Sequence, residues 1–336
     1  MPSVKVVILN WNGRSLLERF LPAVVGNTPA RVGIVVADNG SDDRSVEFLE
    51  EAYPTVEIVR LGKNYGFAEG YNLALERLSA DYFVLLNSDA EPAPGWLDPL
   101  VAKAESDQHI AAVTPKLLSW DEHGRFEYAG ASGGFIDGLG YPFCRGRIMS
   151  TVEHDEGQYN DSRDIFWGTG ACLLVRSGVF RELGGFDASF FAHMEEIDFC
   201  WRAQLAGYRI CVEPASVVYH LGGGTLSQST PHKTFLNFRN NLMMLYKNLS
   251  GRSLFWVLSA RLILDGVAAT GWLATGKVQL FKAVWQAHRE FFRRRSELKV
   301  VRGKIQAAKK ASPRYIYRRS IILRYICGNK TFGKLL

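Results

Sequence analysis

The chain has 336 residues, 47% hydrophobic and 22% charged, so it can bury a core and is neither disordered nor fibrous. Its net charge of +6 is uneven: from Arg289 onward there are 15 Lys or Arg against two Glu, which leaves the preceding body mildly acidic and better suited to a cation site than to a nucleic-acid groove. The five cysteines (Cys144, Cys172, Cys200, Cys211, Cys327) are scattered, odd in number and without a CxxC pair, and no basic, long apolar leader precedes residue 4, so a disulfide framework, a zinc ribbon and export are not expected.

In chain order, residues 4–9 read as a strand, 15–25 as a helix, 32–37 as a strand, 44–52 as a helix, 56–61 as a strand, 67–78 as a helix and 82–86 as a strand. This alternation predicts an α/β fold with a parallel, doubly wound sheet, and such sheets bind ligands beyond the carboxyl ends of their strands. Polar residues collect at those ends: Asn10-Trp11-Asn12, Asp38-Asn39, Lys63-Asn64 and Asn87-Ser88-Asp89. Residues 96–104 then read as a helix and 111–118 as extended. The stretch 119–165, rich in Gly, Asp and Tyr, reads as loops or a β-ribbon that binds substrate. Strand character resumes over 166–175 around Gly168-Thr169-Gly170, followed by a helix over 195–206 and a strand over 210–213.

Several of these residues can carry chemistry. Asp89 follows an apolar strand and can hold a divalent cation against a diphosphate, although Asn87-Ser88-Asp89 with Pro92 and Pro94 would also make a plain turn. Asp42 or Asp43 is expected to cap the helix after them, which leaves Asp38 to accept hydrogen bonds from a base or ribose. Trp11 could stack on a nucleobase, or be an ordinary half-buried tryptophan. Glu195, Glu196 and Asp198 open a helix directly after Phe190-Phe191, a position the helix dipole partly explains. A carboxylate beside apolar rings has its charged form disfavoured and can work as a general base, but all three cannot do so. His220 precedes Leu221-Gly222-Gly223-Gly224, where backbone can approach a phosphate closely.

Taken together, VVILNWNG at 6–13, VVADNGSDDRS at 35–45, NYGFAEGYN at 64–72, LLNSDAEP at 85–92, GTGACLLVR at 168–176, GGFDASFFAHMEEIDFCWRAQLAGYRI at 184–210 and HLGGGT at 220–225 resemble glycosyltransferase family 2, the inverting GT-A enzymes, and its rhamnosyltransferase-like branch. The resemblance covers roughly residues 3–250. It implies a GT-A nucleotide-diphospho-sugar transferase fold, Rossmann-like with a mostly parallel sheet. The catalytic domain would span 1–250, with a nucleotide-binding half over 1–118 and an acceptor and catalytic half over 119–250, followed by a helical basic extension over 251–336. It further implies that Asn10, Trp11, Asp38, Asn64, Asn87 and Asp89 bind the nucleotide sugar, and that Asp89 binds Mg2+ or Mn2+ with His220 completing the shell. Glu196 would be the catalytic base, with Glu195 or Asp198 as substitutes, and Trp167, Gly170, Asp187, Trp201 and Arg202 would line the acceptor side. Two positions depart from the family pattern. Asn87 opens the DxD-type element and lowers the charge offered to the cation, and Glu196 stands where Asp is usual. The implied reaction is one in-line displacement with inversion, from dTDP-rhamnose or a UDP-sugar to a glycan or polyprenyl-linked acceptor in cell-surface polysaccharide synthesis.

Residues 254–275 are apolar but carry Arg261 and Asp265 one turn apart, so they read as a helix lying on a bilayer or on the domain, not as a span. Residues 289–336 interleave Arg and Lys with Phe, Tyr, Ile and Leu, which suits an anionic membrane surface and peripheral attachment at the cytoplasmic face. No nucleic-acid motif accompanies this tail, so no nucleic-acid partner is expected. A dinucleotide oxidoreductase is disfavoured because Asn-Trp-Asn-Gly, not GxGxxG, follows the first strand. A nucleotide binder without transferase activity is the other rival, and Asp89, Glu196 and His220 speak against it.

Overall fold

The computed structural model describes residues 1–222 and 230–335. Its first half runs β1 (Val4–Asn10), α1 (Arg14–Asn27), β2 (Gly33–Asp38), α2 (Ser45–Ala52), β3 (Glu57–Arg60), α3 (Gly66–Glu76), β4 (Tyr82–Leu86), β5 (Ala90–Pro92), α4 (Leu97–Glu105) and β6 (Ile110–Ser119). Five short strands follow: β7 (Gly134–Asp137), β8 (Pro142–Cys144), β9 (Arg147–Ile148), β10 (Thr151–Val152) and β11 (Arg163–Ile165). Then come β12 (Cys172–Arg176), α5 (Ser177–Glu182), α6 (Glu195–Leu205) and β13 (Arg209–His220). The remainder is α7 (Pro231–Asn248), α8 (Gly251–Ala274), α9 (Val278–Arg293), α10 (Arg295–Ala307), β14 (Ile316–Tyr317) and α11 (Ile321–Ile326).

The large sheet has the order β11-β13-β6-β12-β4-β1-β2-β3, with β5 paired to β13. Strands β3, β2, β1 and β4 are parallel, while β12 runs antiparallel between β4 and β6. Alternation along β1 serves two cores: Val6 and Ile8 pack with Leu17 and Leu21 of α1, and Val7 packs with Ala68, Tyr71 and Ala74 of α3. β4, covered on both faces, is buried at every position. The winding reverses between β1 and β4, so Asn10 and the Asn87–Asp89 turn border the crevice where such sheets bind ligands.

Two expectations change in extent. The strand expected over 166–175 is confined to Cys172–Arg176, because Trp167 leaves the ladder to bridge Gly134 of the small sheet. The strand expected over 210–213 continues through a register irregularity after Glu213 to His220. Pro214 hides that continuation, since proline inside an apolar run normally marks its end. The region 119–165 largely forms a second small sheet, β10-β9-β8-β7-β14.

The C-terminal extension packs onto the body that precedes it. Its β14 completes the small sheet, and Phe291, Leu298, Ile321 and Phe332 enter the same core as β4 and α3. Several of the apolar residues interleaved in the basic tail therefore turn inward. Ile321 N–H donates to Asp137 at 2.9 Å and Phe332 N–H to Glu153 at 2.9 Å, which pins the returning chain. Apolar surface is exposed on α8 and α9, where Phe255, Trp256, Ile263, Val267 and Trp285 are each more than half exposed, and in the tail at Val300, Leu323 and Ile326. By length and composition α8 could cross a bilayer. Its inner face, however, carries the buried Arg261 and Asp265. Arg261 donates to Asn241 Oδ1 at 2.6 Å and Leu139 O at 3.1 Å, and Asp265 lies 3.3 Å from His288, so α8 is fastened along the body.

Candidate active site

Three strand-end loops are tied into one edge. Asp38 is buried, and its carboxylate accepts the N–H groups of Gly40 and Ser41 at 3.3 Å, long bonds that leave it capacity for another donor. Asp43 is the capping aspartate: it accepts from Arg14 N–H at 2.7 Å and Ser45 N–H at 3.1 Å, the first residues of α1 and α2. Asn10 is fully buried and donates to Ser41 Oγ at 3.2 Å, so it supports the loop from below. Trp11 beside it is 44% exposed, as a stacking platform needs to be. Asn64 Oδ1 accepts from Asn39 at 3.2 Å and from Gly66 N–H at 2.8 Å. A Cβ on Gly40 would lie 2.4 Å from Lys63 Cα, and one on Gly66 2.5 Å from the Phe191 ring; both have φ of +78°, so glycine is required at each. Phe67 and Ala68 at the start of α3 donate to Phe191 O at 2.6 and 3.1 Å, which joins this edge to the loop preceding Glu195 and Glu196.

Pairing of β13 with β5 sets His220 opposite Ala90 and brings it to Asp89 across 131 positions of sequence. His220 Nε2 lies 3.1 Å from Asp89 Oδ1 and 3.2 Å from Asn87 Nδ2, while Nδ1 faces Glu127 Oε1 at 3.4 Å. Asp89, Glu127 and His220 are all buried. Burial works against charge on His220, but Glu127 and Asp89 outweigh it and push its pKa up to about 10. Among the described residues no three His, Cys, Asp or Glu side chains converge as a complete metal site. Asp89 and His220 offer one oxygen and one nitrogen, a half-site that fits Mg2+ or Mn2+ if diphosphate oxygens and water fill the other positions. A cation there would require an unprotonated Nε2, and Glu127 stands where it would hold the remaining proton on Nδ1.

Glu195 and Glu196 begin α6, and one oxygen of each is buried without a hydrogen-bond partner among the described residues. Burial pushes Glu196 up to about 7. Burial and the charge of Glu196 together push Glu195 well above the usual carboxylate range. The loop that delivers them is strained: Phe191, His193 and Met194 have φ of 65°, 69° and 74°. α7 secures it. The fully buried Asn240 places Nδ2 3.0, 2.8 and 2.7 Å from the carbonyl oxygens of Phe190, Ala192 and His193, and Arg239 donates to Ser189 O and Phe190 O at 3.1 and 3.0 Å.

Five expected site residues are engaged by partners within the fold. Asp198 is fully buried and accepts from Arg202 at 2.8 Å and Asn248 at 2.7 Å, with Lys247 Nζ 3.0 Å away, so three partners already surround it. Asp187 pairs with the same lysine; burial would raise its pKa, but Lys247 holds it down at about 2. Arg202 also donates to Leu183 O and Gly185 O, both at 2.7 Å, which occupies its guanidinium. Trp167 and Trp201 are buried, Trp167 donating to Phe135 O at 2.9 Å and Trp201 packing edge-on against Phe166. Gly170, beside the Asn87–Ala171 backbone bond, remains at the edge. Gly223, Gly224 and Thr225 of the glycine run lie outside the described residues. Sequence reasoning missed Glu127, which sits in the aperiodic 119–165 stretch, and Asn240. The available signal for the latter was Asn240-Asn241 in mid-helix, where asparagine disfavours the helix unless its side chain has work elsewhere.

The family profile described as glycosyl transferase family 2 matches residues 5–184, more than half of the chain. Among curated relatives, the N-acetylglucosaminyl-diphospho-decaprenol L-rhamnosyltransferase of Mycobacterium tuberculosis is 28% identical over 243 residues, covering 68% of this chain and 79% of the relative. The pre-mycofactocin glycosyltransferase of the same organism is 30% identical over 65% of this chain and 42% of its own length. Two solved structures share the fold. S. aureus TarS 1–349 in complex with UDP-GlcNAc has a TM-score of 0.57 and 14% identity over 97% of this chain and 92% of that one. The Pyrobaculum calidifontis mannosyltransferase with GDP-Man and Mn2+ has a TM-score of 0.52 and 16% identity over 91% and 86%. With the GT-A fold, the strand-end crevice and the family profile in agreement, the chain belongs to glycosyl transferase family 2 and is a nucleotide-sugar-dependent glycosyltransferase.

Proposed function

We propose that this glycosyltransferase inverts the anomeric centre and moves a sugar from dTDP-rhamnose or a UDP-sugar to a hydroxyl of a polyprenyl-linked glycan in cell-surface polysaccharide synthesis. The observation that carries the reading is the pair Glu195–Glu196, each with a buried oxygen unpartnered among the described residues, tied through Phe191 to the strand-end edge that bears Asp38. Burial and the repulsion between neighbouring carboxylates raise the pair above the usual carboxylate range, so one of the two can hold or take up a proton near neutral pH. The Glu196 carboxylate takes the proton of an acceptor hydroxyl, whose oxygen bonds to the anomeric carbon as the bond to the donor diphosphate breaks. Trp11 stacks on the base, Asp38 binds base or ribose, Asn64 and Asn87 keep the loops around the diphosphate in place, and Gly170 leaves room on the acceptor side. A bound Mg2+ or Mn2+, held by Asp89 and His220, supplies charge neutralisation at the departing diphosphate.

The decaprenyl-linked substrate in the name of the mycobacterial relative supports a lipid-linked acceptor here. The exposed apolar face of α8 and α9, flanked by exposed Arg252, Lys277 and Arg289, supports peripheral attachment to an anionic cytoplasmic membrane surface. The test is a screen of nucleotide sugars for Mg2+- or Mn2+-dependent transfer to prenyl-diphosphate-linked sugars, with the product anomer read by NMR. Inversion, and loss of transfer in Asp89→Ala, are expected. Retention of configuration, or undiminished transfer by Asp89→Ala, would overturn the reading.

A further inference from the structure

A groove of about 390 Å³ opens between α7 and α9, lined by Pro231, His232 and Phe235 on one side and Gln279, Lys282 and Gln286 on the other. Lys282 and Gln286 are one turn apart, and Gln279 precedes Lys282 by three residues, so all three share one face of α9. Among the described residues no carboxylate lines the groove. Its polar groups are an ammonium, an imidazole and two amides, a set that complements an anion with several oxygens.

Its neighbours narrow the choice of anion. The His232 ring meets Phe191 edge-on, with centroids 6.4 Å apart, and Phe191 belongs to the strained loop that leads into Glu195 and Glu196. One turn beyond Phe235 on α7, Phe238 packs against Trp272 of α8 with centroids 5.9 Å apart, next to the exposed Leu273. One aromatic contact therefore joins the groove to the loop that leads to the candidate base, and a second, one turn further along α7, joins its wall to the exposed apolar helix.

We propose that this groove binds the diphosphate of a lipid-linked acceptor, with the sugar on one side at Glu196 and the lipid on the other along α8. The proposal rests on the acceptor reading above and adds the subsite that would recognise the linkage. Lys282 supplies the charge, and His232, Gln279 and Gln286 supply directional hydrogen bonds.

The test is calorimetric titration of the full chain with Mn2+ and a saturating nucleoside diphosphate present, so that the donor side is filled. Geranyl diphosphate and geraniol serve as probes that differ only in the diphosphate. Wild type should bind geranyl diphosphate at least ~10-fold more tightly than geraniol. Lys282→Glu, at an exposed position, should bring that ratio close to one. Lys309→Glu, the same change of charge on an exposed residue outside the groove, should keep it. Equal binding of the two probes by wild type, or an unchanged ratio in Lys282→Glu, would overturn the proposal. Failure of transfer to every diphosphate-linked sugar would instead count against the proposed function, so the two readings fail by different measurements.

Discussion

Replacing Glu196 by glutamine separates the proton chemistry of this side chain from the strain its charge places on the fold. Burial moves its carboxyl from the ordinary 4.5 to about 7, and each pKa unit corresponds to about 1.4 kcal/mol. A group whose folded pKa is raised contributes most favourably below its unfolded value, and that contribution disappears as pH climbs through the folded value. Wild type at pH 8 should therefore carry a penalty of about 3 kcal/mol that is absent at pH 4. Glu196→Gln removes the ionisation, so its melting temperature should match wild type near pH 4 and exceed it at pH 8. At about 1–2 °C per kcal/mol for a chain of this length, the excess is at most about 6 °C, less whatever the amide loses through unpaired hydrogen-bonding groups. Turnover should fall about 10²- to 10⁴-fold, and wild-type kcat/KM should rise with pH through about 7. Thermal melts at both pH values and a transfer assay on the same preparations decide the matter. A variant of near-normal activity would move the base to Glu195. A variant destabilised at pH 8 relative to pH 4 would refute the burial argument.

Lys247, buried between Asp187 and Asp198, should be indispensable to the fold: Lys247→Met leaves two carboxylates without their shared cation and should cost about 3–5 kcal/mol in urea unfolding, and an unchanged midpoint would contradict this. Asn240→Ala releases three carbonyls of the strained loop and should lower kcat about 10-fold or more with nucleotide affinity unchanged; a parallel loss of nucleotide affinity would indicate general loosening instead of a displaced base. Trp256→Glu combined with Ile263→Glu on the outer face of α8 should reduce binding to phosphatidylglycerol vesicles at least ~10-fold in sedimentation, and undiminished binding would locate membrane contact elsewhere.

The parallel half of the fold was legible because its strands are short, apolar and separated by amphipathic helices, so periodicity alone locates β1 to β4 to within one or two residues. The same pattern placed Asp38 and Asp89 at strand ends before any contact was known. It could not show that His220 reaches Asp89, because that meeting depends on an antiparallel pairing with β5 across a proline-interrupted strand. Nor could it divide the carboxylates of α6. Glu195, Glu196 and Asp198 look alike in sequence, and only Lys247, Arg202 and Asn248, which converge on Asp198, distinguish a neutralised carboxylate from two that keep an unpartnered oxygen. The packing of the tail was hidden for a related reason: β14 carries the chain back onto the small sheet and buries Phe332 and Ile321, a return that interleaved basic and apolar residues do not announce.

The most direct measurement is titration of UDP and dTDP into the full chain with and without Mn2+, for wild type, Asp89→Ala and Glu196→Gln. Cation-dependent binding that disappears in Asp89→Ala and survives in Glu196→Gln is the predicted result, since the proposed function has one residue hold the diphosphate through the ion and the other act only on the acceptor. Tight binding without a cation, or binding that survives Asp89→Ala and is lost in Glu196→Gln, would contradict the division of labour on which the account rests.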